Sequence, residues 1–134
     1  MAKQDSRKER RTSRRVEAQL AVQLSGRGHG AKDILAESIN ISAGGVYCLV
    51  KHPVPVLTVL DLSIQLPKFL TYRATQIVRC ESVVVRCEQS PRSTGAAARY
   101  DLACSFQNLD AEASERINEF VLWKLLGSGA GRSG

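Results

Sequence analysis

The stretch YDLACSFQNLDAEASERINEFVLWKLL, Tyr100–Leu126, changes its periodicity half-way along and thereby decides the fold class. Up to Phe106, apolar side chains occur at every second position, which predicts a strand with one buried face. From Asp110, a suitable N-cap, we predict an amphipathic helix over 110–126, whose apolar face needs a surface to cover. The residues of its apolar stripe are Ala113, Ile117, Phe120, Val121 and Leu125.

The rest of the chain follows a period of two residues, the pattern of half-buried strands. A first strand is predicted over Val16–Leu24, and the most regular alternation is Leu60–Leu66, with Pro67 at its end. Further strands are predicted over 33–41, 46–50, 100–106 and, as one long or two short segments, 71–88. We therefore expect a mainly β fold, a six-stranded antiparallel β-barrel closed by one C-terminal α-helix.

The positive charge is concentrated at the N-terminus. Residues 1–15 hold seven Lys and Arg against two Asp and Glu, while the remaining residues hold twelve against eleven. The formal net charge of +6 is therefore almost entirely a property of the first segment. A protein that wraps duplex nucleic acid usually spreads its positive charge over a face, so this distribution disfavours that function.

The pattern contains no convincing catalytic or metal-binding constellation. The four cysteines form no CxxC pair, and His29 and His52 have no partner at metal-ligand spacing. We therefore predict no catalytic residues, no metal and no cofactor. Because the chain lacks a signal peptide and any apolar run of roughly 18 residues, we expect a cytoplasmic protein with reduced thiols and no membrane insertion.

Two short motifs stand out against this background. RTSRR (Arg11–Arg15) immediately precedes the first predicted strand, and NISAGG (Asn40–Gly45) ends the second. In a regular strand the asparagine and serine of NISAGG face outward, opposite Ile39 and Ile41. Its two glycines either form a simple hairpin turn or let a ligand approach the backbone closely.

The order and spacing of these motifs resemble the PilZ domain family, receptors of the bacterial second messenger cyclic di-GMP. That family carries an RxxxR motif just before its first strand and a (D/N)xSxxG motif one hairpin later. The matching residues in this sequence are Arg11 and Arg15, then Asn40, Ser42 and Gly45. The resemblance predicts a PilZ domain over 9–126, preceded by a flexible basic arm (1–8) and followed by a disordered Gly/Ser tail (127–134).

The resemblance implies that the motif residues bind cyclic di-GMP. Arginine suits this ligand because its guanidinium reads the O6 and N7 edge of guanine, pairs with phosphate and stacks on bases. The expected ligand-binding residues are Arg10, Arg11, Arg15, Asn40, Ser42 and Gly45, with Arg14 and Gly44 as further candidates. The leading Arg10 gives an RRxxxR form, which by the resemblance favours a stacked ligand dimer, and the stoichiometry stays open between one and two ligands per protomer.

This hypothesis makes the protein a non-catalytic adaptor. The ligand would order the arm against the face of Asn40 and Ser42 and change the surface shown to an unidentified effector protein. The downstream process stays open among motility, biofilm polysaccharide export and virulence. The alternatives are a PilZ-like protein-interaction domain without ligand, for example in pilus assembly, and nucleic-acid binding by the arm. Leu122 and Trp123 lie off the helical stripe, and they either form a partner or homodimer contact or complete a broad seam between the helix and the barrel.

Overall fold

The computed structural model describes residues 14–26, 33–91 and 98–133, with side chains up to Gly127. The arm predicted over 1–8 lies outside the described residues. The described chain forms seven strands and one helix. The strands are β1 (Val16–Glu17), β2 (Ala21–Gly26), β3 (Asp33–Ile41), β4 (Gly45–Val50), β5 (Val59–Leu66), β6 (Gln76–Gln89) and β7 (Tyr100–Gln107), and the helix α1 is Ala111–Ser133.

Six of these strands close into an antiparallel barrel. Their order is β3-β2-β5-β6-β7-β4, and β4 pairs back onto β3. The short β1 is added to the outer edge of this pairing, with Val16 opposite Ile41 near the end of β3. The predicted fold class, a six-stranded antiparallel barrel with a C-terminal helix, is confirmed.

The alternating apolar residues fill the barrel interior. On β5 the predicted inward residues Leu60, Leu62, Ile64 and Leu66 are all buried. Where the pattern allows one long or two short strands over 71–88, the structure has the single long strand β6. Because β6 pairs with both β5 and β7, it connects the two halves of the barrel wall.

The helix α1 begins and packs as its sequence predicts. Asp110 is its N-cap, since the Asp110 Oδ1 accepts a hydrogen bond of 2.7 Å from the backbone N–H of Ala113. The predicted stripe is buried except for Leu125, which is half-buried against the core. The helix runs on to Ser133, past the predicted end at 126. The disorder of 127–134 in solution stays a prediction. It is based on glycine and serine being poor helix formers.

Trp123 belongs to the contact between the helix and the barrel. Its ring centroid lies 5.7 Å from that of Phe69 and 5.9 Å from that of Phe120. Tyr72 extends this cluster and donates a 2.7 Å hydrogen bond to Glu119, which raises the pKa of the phenol. Of the two residues predicted off the stripe, only Leu122 is exposed.

The predicted first strand is divided into β1 and β2, and a buried serine occupies the break. Ser38 Oγ accepts a 2.8 Å hydrogen bond from the backbone N–H of Leu20 and donates one to the carbonyl of Ala18. These bonds satisfy backbone groups that a continuous ladder would have paired. Ser38 is 2% exposed, so water cannot take over this role.

Replacing Ser38 by alanine should therefore lower the free energy of unfolding by about 1–3 kcal/mol, because two buried backbone groups lose their partner. The measurement is urea unfolding with the slope m compared to the wild type. Ser63→Ala, a half-buried serine on β5, is the matched control. Equal unfolding midpoints for the two variants would contradict this account of Ser38.

A β-bulge next to Ser38 changes which side chains of β3 face the barrel interior, compared with the prediction. Ser38 pairs with Cys48 but Asn40 pairs with Tyr47, so Ile39 is an extra residue on β3. The prediction that Ile39 and Ile41 share the inward face is wrong, because Ile41 is fully buried and Ile39 is not. A bulge shifts the alternation by one residue and bends the strand.

The properties of the cysteines indicate that these residues have a structural rather than a chemical role. All four are free thiols, and Cys48 and Cys104 are buried. Desolvation by burial is the main cause that raises the pKa of Cys80 to about 12 and that of Cys104 to about 11. At neutral pH the thiols of Cys80 and Cys104 stay protonated and are therefore weak nucleophiles.

Within the described residues, no helix is both long enough and apolar enough to cross a membrane.

Candidate ligand-binding groove

A groove of about 770 Å³ lies on the outer barrel wall, where the NISAGG bend meets β4 and β7. Arg15, immediately before β1, forms one side of the groove, and the bulged Val85 of β6 lies on its lining as well. The remaining lining residues are Ser42, Gly44, Gly45, Val46, Tyr47, Ala103, Cys104 and Ser105. The structure thus brings Arg15 of the first motif together with Ser42, Gly44 and Gly45 of the second.

The centre of the groove wall is a row of three residues across three strands. Tyr47 of β4 is opposite Ala103 of β7, and Ala103 is opposite Arg86 of β6. Because alanine is short, the Arg86 side chain reaches across it, and its Nη2 donates a 2.6 Å hydrogen bond to the Tyr47 hydroxyl. The Arg86 Nε lies 3.5 Å from a carboxylate oxygen of Glu88. Arg86 therefore holds the outer end of the tyrosine ring.

Arg15 contacts the face of the same tyrosine. Its guanidinium carbon lies 4.3 Å from the centroid of the Tyr47 ring, within cation–π distance, while that of Arg86 lies 5.5 Å away. The ring is therefore bracketed by two guanidinium groups. The groove consequently combines positive charge with an aromatic face, two properties that suit an anionic ligand with flat rings.

A second β-bulge explains why Arg86 faces this groove. Val84 pairs with Cys104 but Arg86 pairs with Ala103, so Val85 is an extra residue on β6. With strict alternation after the buried Val84, Arg86 would point into the barrel. The bulge leaves both Val85 and Arg86 on the outer wall.

Ser42 lines the groove but exposes little of its surface. It is only 6% exposed, and its Oγ accepts a 3.2 Å hydrogen bond from the N–H of Gly44. The Ser42 backbone N–H donates to the carbonyl of Gly45 at 2.9 Å, which closes the bend. Ser42 is therefore on the groove lining, and its hydroxyl stabilises the turn. Its contact with a ligand stays a prediction.

The two glycines of the motif differ in their surroundings. A Cβ on Gly45 would lie 2.4 Å from the carbonyl oxygen of Cys104, whereas a Cβ on Gly44 would meet nothing nearer than Ser42 Oγ at 4.0 Å. Neither glycine has the positive φ that favours this residue. Gly45 is thus required by the close approach of β4 to β7, and a ligand contact at either glycine stays a prediction.

Asn40 is not one of the residues that line the groove, but it lies on the neighbouring strand β3. It lies opposite Tyr47 in the β3–β4 pairing. Its Oδ1 is buried, and it has no hydrogen-bond partner among the described residues. Buried polar atoms are normally paired, so this amide is a candidate to bind a ligand group.

The remaining predicted site residues divide into two groups. Arg14 is exposed and does not line the groove. Arg10 and Arg11 lie outside the described residues. Tyr47 lines the groove and Arg86 borders it, although neither residue belongs to the two motifs. The signal for Arg86 was the run SVVVR, whose three successive valines break the alternation and allow a bulge.

The described residues contain no group of three or more His, Cys, Asp or Glu placed to hold a metal ion.

Comparison with known families decides what this barrel is. A family model described as PilZ domain matches residues 9–123. The chain belongs to the PilZ domain family. The match includes both motifs, the whole barrel and the buried part of α1, while the division into arm, domain and tail stays a prediction.

Solved structures share this PilZ fold. The inhibitor of motility MotI/DgrA of Bacillus subtilis superposes with a TM-score of 0.70 at 23% identity, covering 84% of this chain and 50% of that one. The PilZ domain of YcgR from Escherichia coli with c-di-GMP gives 0.65 at 11% identity, covering 92% and 98%. The complex of K. pneumonia MrkH with c-di-GMP gives 0.65 at 16% identity, covering 89% and 54%.

The chain therefore spans about half the length of MotI/DgrA and of MrkH, and nearly the whole of the YcgR PilZ domain. A search among curated proteins gave no significant sequence relative.

Proposed function

We propose that this PilZ domain is a non-catalytic receptor for cyclic di-GMP. The observation that carries the proposal is the position of Arg15, whose guanidinium lies in the same groove as the NISAGG bend. Two solved proteins with this fold, YcgR and MrkH, are described with c-di-GMP. The family and the groove together therefore favour this nucleotide over other anions.

The chemistry of the ligand suits the groove. Cyclic di-GMP has two guanines and two phosphates, and arginine forms bidentate hydrogen bonds with either group. Arg15 and Arg11 would take a guanine edge and a phosphate. The unpaired Asn40 Oδ1 is a hydrogen-bond acceptor, and the N1–H and N2–H groups of guanine are donors.

The signal would be relayed by the arm. When Arg10 and Arg11 bind the ligand, the first residues of the chain become fixed against the barrel wall, and an effector protein meets a changed surface. Ordering a segment on binding lowers the affinity relative to a preformed site, which suits a reversible switch. The receptor would act in the bacterial cytoplasm, where the nucleotide is made.

Calorimetric titration of the full chain tests this function. We expect saturable binding of cyclic di-GMP that tolerates added salt, and no binding of cyclic di-AMP, which has the same charge but lacks the guanine edge. Equal binding of both nucleotides, or affinity that collapses with salt as in general nucleic-acid binding, would overturn the proposal.

The same titration measures stoichiometry. Two ligands per protomer in the wild type and one in Arg10→Ala would support a stacked ligand dimer held by Arg10. A one-to-one isotherm that Arg10→Ala leaves unchanged would reject that dimer.

A further inference from the structure

Tyr47 is the feature of the groove that the proposed function does not use. It is not part of either motif, yet it lies in the middle of the lining, half-buried, between Arg15 and Arg86. Its ring is held at both ends, by the backbone of β4 and by the hydrogen bond from Arg86 to its hydroxyl. An aromatic ring fixed on an outer wall, with its face toward a groove, is a ready surface for another flat group.

In this structure the guanidinium of Arg15 covers that ring at 4.3 Å. A guanidinium and a purine base are both planar and both stack on tyrosine. Arg15 is also the residue that the proposed function assigns to the ligand. When Arg15 turns to the guanine edge or the phosphate, it leaves the ring, and the face of Tyr47 becomes available beside the bound nucleotide.

We propose that the Tyr47 ring is a stacking platform for one guanine base of the ligand, and that Arg15 covers this platform until the base replaces it. This inference rests on the proposed function, since it names a further contact in the same groove. The exchange is favourable because Arg15 gives up an exposed cation–π contact for charge-assisted hydrogen bonds, while the ring gains a base.

The alternative role for Tyr47 predicts the opposite result. If the ring only binds Arg15 in the free protein, the ligand must displace the arginine from the ring. Removing the ring would then tighten ligand binding. If the ring is a platform, removing it weakens binding. The sign of the change in affinity therefore distinguishes the two roles.

The test uses Tyr47→Leu, which removes the ring, and Tyr47→Phe, which keeps the ring but loses the hydroxyl. Because Tyr47 lies on the outer wall, both variants should fold, and thermal unfolding checks this. Tyr100→Leu removes a half-buried tyrosine from the far end of β7 and is the matched control. Calorimetry gives the affinity for cyclic di-GMP, and proton NMR follows the guanine H8 signals of the nucleotide.

We expect Tyr47→Leu to weaken binding about 10-fold, while Tyr47→Phe and Tyr100→Leu stay near the wild type. One guanine H8 signal should move upfield on binding to the wild type and to Tyr47→Phe, because it lies over an aromatic ring, and this shift should be lost in Tyr47→Leu. Wild-type binding together with unchanged or tighter binding by Tyr47→Leu would overturn the platform and leave the receptor function intact. A wild type that binds no cyclic di-GMP would overturn both.

Discussion

The double variant Arg11→Ala/Arg15→Ala is expected to lose all measurable binding of cyclic di-GMP at micromolar ligand, while each single variant binds about 10- to 100-fold more weakly. A bidentate contact from arginine to a guanine edge is worth about 1–3 kcal/mol, which corresponds to that range. Removing both contacts costs more binding free energy than the remaining groove residues supply. Calorimetry on the purified full chain is the measurement.

The position of Arg15 gives this prediction its structural basis. It is the residue directly before β1, and β1 is fixed to the end of β3 by the pairing of Val16 with Ile41. The first strand therefore delivers the guanidinium to the groove next to the NISAGG bend. Arg11 lies outside the described residues, and its share of the effect comes from its match to the RxxxR motif.

A matched control separates specific contacts from general charge. Arg73→Ala/Arg79→Ala also removes two exposed arginines, but neither residue lines the groove. Unchanged binding by this control and lost binding by Arg11→Ala/Arg15→Ala would support the motif. A similar loss in both double variants would mean that net charge alone attracts the nucleotide, and the assignment of the two motif arginines would be wrong.

The fold was predictable because its strands keep a simple period. The alternation of Leu60–Leu66 and the change to helical spacing at Asp110 are local signals, and both elements begin where the pattern puts them, although the helix continues past 126. Charge and motif order likewise identified the two segments that meet at the groove. The alternation and the charge depend on neighbouring residues only, so one sequence is enough to detect them, whereas the two motifs were identified through their resemblance to a known family.

The groove wall was not predictable in the same way. Arg86 faces Tyr47 only because β6 and β4 both pair with β7 and because a bulge at Val85 shifts the phase of β6. The bulge at Ile39 likewise reverses the alternation that predicted an inward Ile39. Bulges and pairings between distant strands leave little trace in a local period. The sequence therefore predicts which faces are apolar better than which side chains meet.

Gly45→Ala is expected to destabilise the barrel by about 3 kcal/mol, near the upper end of the usual cost of overpacking. The new Cβ would lie 2.4 Å from the carbonyl oxygen of Cys104, a backbone atom that cannot rotate away. That carbonyl belongs to β7, which is paired on one side with β4 and on the other with β6. Either the bend or the β4–β7 pairing must shift. Chemical unfolding measures the loss of stability, as a lower midpoint with the slope m unchanged from the wild type.

Gly44→Ala is the matched control, since its Cβ would meet no atom closer than 4.0 Å and its φ is not positive. We expect it to change stability by less than about 0.5 kcal/mol, as for other surface substitutions. The comparison also separates two roles of the glycine motif. If Gly45→Ala lost ligand binding while keeping wild-type stability, close packing of β4 on β7 would not be the reason for a glycine at this position. A fall in stability confined to Gly45→Ala would mean that the last residue of the motif acts through the barrel wall, by keeping the bend in the shape that brings Ser42 beside Arg15.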